Sequence, residues 1–209
     1  MDNNKEVNTT TFTDKLRGWF RWLIEPLAKL FNRLGIHPNL MTLLGLLGTV
    51  FGSALVANGW LTWGGLVILV TVPIDALDGT MARLRGEASD WGAFVDSVSD
   101  RYSELAIYFG LLVYYLYRQD QLACALVFIA AAGTVLVSYT KARAEGLKLN
   151  ANVGLLTRAE RYLVIAPALV FHIPLIAIWI IAILANFTAI QRIMHVRHDA
   201  KRRKSYIQE

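Results

Sequence analysis

The stretch "PIDALDGTMARLRGEASDWGAFVDSVSDRYSE", Pro73 to Glu104, decides how the rest of the chain is read. It sets four aspartates, Asp75, Asp78, Asp96 and Asp100, between apolar runs that are long enough to be buried in a bilayer. On helices, Asp75 and Asp78 are three apart and Asp96 and Asp100 four apart, so each pair shares a face, and Glu104 continues the second face one turn on. The link between the two runs, "RGEAS", is short, which predicts antiparallel neighbours with both pairs at similar depth. Four ionised carboxylates held that close repel one another unless a cation lies between them. Ion pairs to Arg83, Arg85 and Arg101 are the structural explanation, but they leave the shared face of each pair unexplained. Acidic groups at membrane depth more often mark function. Oxygen ligands on rigid helices suit Mg²⁺, Mn²⁺ or Ca²⁺, and four of them are enough for two ions.

Composition agrees with a membrane setting. Of 209 residues, 55% are hydrophobic and 18% charged, and the mean hydropathy is +0.41. The apolar residues come in blocks near the roughly 20 needed to span a bilayer as a helix. The N-terminus lacks the basic-then-apolar order of a cleavable signal. A single cysteine, Cys124, excludes a disulfide framework or a cysteine metal cluster, and reads as packing. The net charge of +5 is the sort that flanks cytoplasmic span ends and meets anionic lipid, so no nucleic-acid partner is expected.

The predicted organisation is all-α and polytopic. Residues 12–34 mix aromatic and aliphatic residues with Lys15, Arg17, Arg21, Lys29 and Arg33, the pattern of an amphipathic interfacial helix kinked at Pro26 and closed by Gly35. Six transmembrane spans follow, at 39–57 (with Asn39 as N-cap), 61–84, 90–117, 121–143, 157–171 and 174–195. The divisions are 1–36 (tail and interfacial helix), 37–198 (six-span domain) and 199–209 (basic tail). Arg83, Arg85, Lys141, Arg143, Lys148, Arg158 and Arg161 collect at alternate span ends, which puts both termini and the charged loops on the cytoplasmic side. Small residues at Gly45, Gly48 and Gly52 permit close helix contact. Trp60, Trp63 and Trp91 read as interfacial anchors; His172 and His195 lack ligand-spaced partners.

Between the aspartates, Gly79 lets a ligand approach the backbone, Ala82 is small, Arg83 offers a fork suited to phosphate, and Gly92 leaves a second gap. Dications, glycines and an arginine together describe a diphosphate site. The order Asp75-x-x-Asp78-Gly79-x-x-Ala82-Arg83, eight residues, then Gly92-x-x-x-Asp96-x-x-x-Asp100 resembles the CDP-alcohol phosphotransferase signature at every fixed position. The resemblance implies attack of an acceptor hydroxyl on the phosphate of a CDP-diacylglycerol-type lipid, with release of CMP. It implies two Mg²⁺ ions (or Mn²⁺) on Asp75, Asp78, Asp96 and Asp100, with Asp100 as catalytic base. Gly79, Ala82, Arg83, Ser89 and the start of the first span, Pro38, Asn39, Leu40 and Met41, would hold the CDP-lipid.

A second basic group, in "SYTKARAEG" and "LLTRAERYL" with Arg192, suits a phosphorylated acceptor and resembles the phosphatidylinositol-phosphate synthase branch of bacteria and archaea. That branch implies inositol 1-phosphate held by Ser138, Lys141, Arg161 and Arg192, with Arg158 as a neighbour. The family resemblance also implies a homodimer, for which the small residues Gly45, Gly48 and Gly52 offer a face. Glycerol 3-phosphate as acceptor is the alternative within the family. A cation or proton transporter is the alternative outside it, since acid-lined spans also carry ions.

Overall fold

The computed structural model describes residues 24–207, apart from the side chains of Val72, Pro73, Asp75, Ala76 and residues 204–207. Its elements are α1 (24–33), α2 (Pro38–Ala57), α3 (Leu61–Arg85), α4 (Asp90–Tyr117), α5 (Gln121–Gly146), α6 (Arg158–Val170) and α7 (Pro174–Ile207). No strand occurs among the described residues. The expected interfacial helix is helical over its described part; its first half, residues 12–23, lies outside the described residues. The N-cap of α2 is His37 and not Asn39: the His37 ring accepts from Asn39 N–H at 3.2 Å, and Pro38 takes N1, where its missing N–H costs nothing. Beyond residue 198, where the sequence suggests a tail, α7 continues as helix to Ile207.

Among the described residues, Pro38–Ala57, Gln121–Gly146 and Pro174–Arg203 are long and apolar enough to cross a membrane. The other expected spans fall on α3 and α4, which carry the carboxylates, and on α6, which has 13 residues and an internal proline, Pro167. Leu43, Leu47, Val50, Phe51, Phe128, Ile183 and Phe187 are exposed, an apolar surface that a water-facing protein would bury.

Helix α2 is the axis of the first half. Polar and small residues let both neighbours approach it closely. A Cβ on Gly52 would come 2.9 Å from Ile68 and 3.1 Å from the Gly64 carbonyl, and the Thr49 and Thr71 hydroxyls meet at 3.1 Å across the same seam. On the other side, a Cβ on Gly110 of α4 would strike the Ser53 carbonyl of α2. The small-residue stripe Gly48–Gly52 thus joins α2 to α3 within one chain, where the sequence offered it to a second copy. Both α3 and α4 pack on α2, but they are not packed along each other, contrary to the neighbours that the short link predicts. The physical reason is in the sequence: α2 offers a small-residue surface, whereas α3 and α4 would bring like charges face to face.

The second half is built on α5 and α7, which pack closely; Gly133 of α5 abuts Asn186 of α7, whose amide donates to Ile129 O at 3.1 Å. Helix α6 bridges the halves, meeting α3 where Gly65 faces Leu169 and Ala166. Cys124 is packed against this core, as expected, and His172 meets the Thr62 hydroxyl at 2.7 Å.

Candidate active site

Asp78 is 5% exposed and accepts a hydrogen bond from the Thr42 hydroxyl of α2. Asp100, on α4, is 6% exposed. Eleven residues separate Thr42 from Ser53, and eleven separate Ser99 from Gly110, which faces Ser53. With helices rising about 1.5 Å per residue, Asp78 and Asp100 therefore sit at nearly the same depth, on opposite sides of a cleft floored by α2. Asp75 lies one turn further in along α3, its side chain outside the described set, and half-buried Asp96 lies one turn further out on α4.

Around the cleft stand the other expected contacts. Gly79 is half-buried, and a Cβ there would meet nothing nearer than Arg83 Nη1 at 3.6 Å, so space for a ligand is open beside the aspartates. Arg83 is exposed and donates to the Thr80 hydroxyl at 3.1 Å, while Ala82 is half-buried. Ser89 is the N-cap of α4, its hydroxyl accepting from Gly92 N–H at 3.1 Å. At the start of α2, Asn39 and Leu40 are exposed, and Pro38 and Met41 are buried. Met41 packs with Ile24, Ala28, Leu77 and Met81, docking α1 beside the cleft. Arg85 braces that dock from α3, donating to Asn32 Oδ1 at 2.7 Å and Ile36 O at 2.6 Å.

The basic residues are brought in mainly by α6 and α7. A capping box at Thr157 and Glu160 starts α6, a signal carried by the sequence "TRAE". One turn of α6 then reaches α4. Arg158 pairs with Asp100, and its guanidinium lies 5.4 Å from the Tyr162 ring centre. Arg161, 2% exposed, donates from Nε and Nη2 to Glu104 Oε1 at 2.8 and 2.7 Å, and from Nη1 to Leu156 O at 3.1 Å. Glu104 and Thr42 thus join the site as residues whose roles the sequence did not disclose. Arg192, 6% exposed, donates to Val137 O at 2.5 Å and Val153 O at 2.9 Å, with no carboxylate at ion-pair distance among the described residues. Ser138 is half-buried on α5, and Lys141 pairs with Glu145 at 3.7 Å. A cleft of about 440 Å³ opens between the α5–α6 loop and α7, lined by Val153, Gly154, Leu155, Gln191, Met194 and His195.

The matching family model is that of CDP-alcohol phosphatidyltransferase, over residues 35–194. The chain belongs to that family. Among CDP-alcohol phosphatidyltransferases it is similar to the phosphatidylinositol phosphate synthase of Streptomyces avermitilis, 37% identical over 88% of this chain and 82% of that one. It is 35% identical to the archaetidylinositol phosphate synthase of Pyrococcus horikoshii, over 90% of this chain and 96% of that one. The crystal structure of the Mycobacterium tuberculosis phosphatidylinositol phosphate synthase with CDP-DAG bound superposes with a TM-score of 0.78 at 30% identity, covering 83% of this chain and 92% of that one. The same enzyme has also been solved in complex with manganese and citrate, again at a TM-score of 0.78.

CDP-alcohol phosphatidyltransferase chemistry calls for divalent cations, and the residues here fit them. Among the described side chains, which do not include Asp75, no three acidic, His or Cys groups converge on one point. The fit lies in the donor chemistry: carboxylates from two helices, held apart by α2, with the Arg158 guanidinium supplying positive charge to buried Asp100.

Proposed function

We propose that this chain transfers a phosphatidyl-type group, diacylglycerol or archaeol phosphate, from a CDP-linked lipid to inositol 1-phosphate, releasing CMP and forming phosphatidylinositol phosphate. The observation that carries the acceptor is Arg192. A buried guanidinium held by two carbonyls, with no carboxylate at ion-pair distance among the described residues and with the Arg161 cation as well as Glu145 in its field, sits in a positively charged site that favours an anion. The names of the bacterial and archaeal relatives point the same way.

In this reading Asp100 takes the proton of the acceptor hydroxyl. The hydroxyl oxygen forms a bond to the lipid-side phosphorus, and the bond from that phosphorus to the CMP oxygen breaks, the electron pair leaving with CMP. Asp75, Asp78, Asp96 and Asp100 would hold two Mg²⁺ ions, or Mn²⁺. Bound there, such ions neutralise the diphosphate and the charge that builds on CMP. Thr42 orients Asp78, and Arg158 must release Asp100 before that carboxylate can act as a base. Gly79, Ala82, Arg83, Ser89 and Pro38 to Met41 would receive the nucleotide and diphosphate. Ser138, Lys141, Arg158, Arg161 and Arg192 would receive the acceptor phosphate, which draws Arg158 away from Asp100 as the substrates assemble.

The enzyme is read as a six-span membrane protein with both termini and the active site at the cytoplasmic face, supported by the basic residues gathered at that end. A homodimer, implied by the family resemblance, has to use a surface other than Gly48–Gly52, which α3 already covers. The test offers purified enzyme CDP-diacylglycerol with inositol 1-phosphate, free inositol or glycerol 3-phosphate and scores CMP. Release with inositol 1-phosphate alone is the expected result. Preference for glycerol 3-phosphate or for free inositol sinks the acceptor assignment.

A further inference from the structure

The loop between α5 and α7's neighbour α6, residues 147–157, lies along α7 through contacts that run in order. Leu156 N–H donates to the Thr188 hydroxyl at 3.3 Å, Arg192 Nε donates to Val153 O at 2.9 Å, Asn150 N–H donates to Asp199 Oδ2 at 3.0 Å, and Arg203 donates to Lys148 O. Positions fall along the loop as they rise along α7, so the loop runs antiparallel to the helix. The α7 partners are spaced by four, seven and four residues, which is one helical face. Gly154 keeps the contact tight: its φ is +134°, and a Cβ there would strike Thr188.

Two carbonyls of this loop receive the acceptor-site arginines, Leu156 O from Arg161 and Val153 O from Arg192. The loop is therefore the backbone template against which both guanidinium groups are aimed. Its inner end is fixed by Thr188 and the α6 capping box, and its outer end is clasped by Asp199 and Arg203.

We propose that Asp199 and Arg203 are positioning residues for the acceptor: the last turns of α7 clasp the α5–α6 loop and so hold Arg161 and Arg192 in register for an anionic substrate. This rests on the acceptor assignment above. The test uses full-length Asp199→Ala/Arg203→Ala enzyme, varying inositol 1-phosphate and CDP-diacylglycerol in turn. Losing two exposed hydrogen bonds to charged groups should raise the acceptor KM about three- to tenfold and leave the CDP-lipid KM unchanged. Asp199→Asn, whose amide oxygen still accepts from Asn150 N–H, should keep the wild-type acceptor KM. An unchanged acceptor KM in the double variant, or both KM values rising together as in general loosening, overturns the proposal. Should wild-type enzyme release no CMP with inositol 1-phosphate, the acceptor reading has failed, and hydrogen exchange decides the clasp alone. Faster exchange at residues 148–156 in the double variant then supports the clasp, and identical exchange overturns it.

Discussion

Asp100 serves in two capacities, as a buried ion-pair partner and as the proposed base. The Arg158 guanidinium pairs with its buried charge, and Arg101 Nη2 stands 3.7 Å away; during turnover the same carboxylate is proposed to accept a proton. Asp100→Asn keeps the shape and removes the basicity, so turnover should fall on the order of a hundred- to ten-thousand-fold while CDP-lipid binding changes little. Steady-state rates and a lipid-binding titration on the same preparation separate the two; equal losses in both would reduce Asp100 to a structural ligand. The cations proposed for the acceptor divide in a comparable way. Arg161→Gln removes the closer of the two cations beside Glu104, 4% exposed, leaving only Arg101 Nε at 3.9 Å, and breaking a buried pair of this kind costs about 3–5 kcal/mol. Lys141 and its partner Glu145 are both well exposed. Thermal unfolding in detergent should therefore show a clearly lower Tm for Arg161→Gln and an unchanged Tm for Lys141→Ala, with the acceptor KM raised in both. An unchanged Tm for Arg161→Gln would mean that Arg101 alone compensates Glu104.

At the scale of elements, α2 determines where the two carboxylate helices stand. Its contact with α4 leaves no room for a side chain at Gly110, where a Cβ would strike backbone atoms of Ser53 rather than a movable side chain. Gly110→Val should therefore destabilise by about 1–3 kcal/mol through overpacking and shift α4 against α2. Because Asp78 is referenced to α2 through Thr42 and Asp100 rides on α4, activity should fall along with Tm. Wild-type activity and Tm in Gly110→Val would show that this seam does not set the cleft. At Gly146, the last residue of α5, a Cβ would meet nothing, so Gly146→Ala serves as the control.

For the whole molecule, the halves meet over α6 and along α4 and α5, and the proposed sites divide between them: metal-site carboxylates on α3 and α4, acceptor cations on α5, α6 and α7. A divalent ion that bridges carboxylates from α3 and α4 should stiffen the first half. Excess chelator is expected to abolish CMP release and to lower Tm, and added Mg²⁺ or Mn²⁺ to restore both; Asp78→Asn should lose the metal-dependent part of Tm. Full turnover in chelator would remove the metals from the mechanism.

The aspartate motif, the bounds of α2 to α6 within a few residues and the apolar character of the chain were legible in the sequence, because helix periodicity, glycine spacing and hydropathy are local properties of consecutive residues; the end of α7, twelve residues past the expected 195, was not. It identified the candidate cations on α5, α6 and α7, but not their partners. That Arg161 pairs with Glu104 while Arg192 is held by carbonyls, that α3 and α4 stand apart on α2, and that the basic end of α7 meets the α5–α6 loop emerge only in the tertiary structure. The reason is physical: these pairings lie between residues as much as 57 apart in the chain, and whether a buried charge meets a carboxylate or a carbonyl depends on which helices the small residues allow to touch.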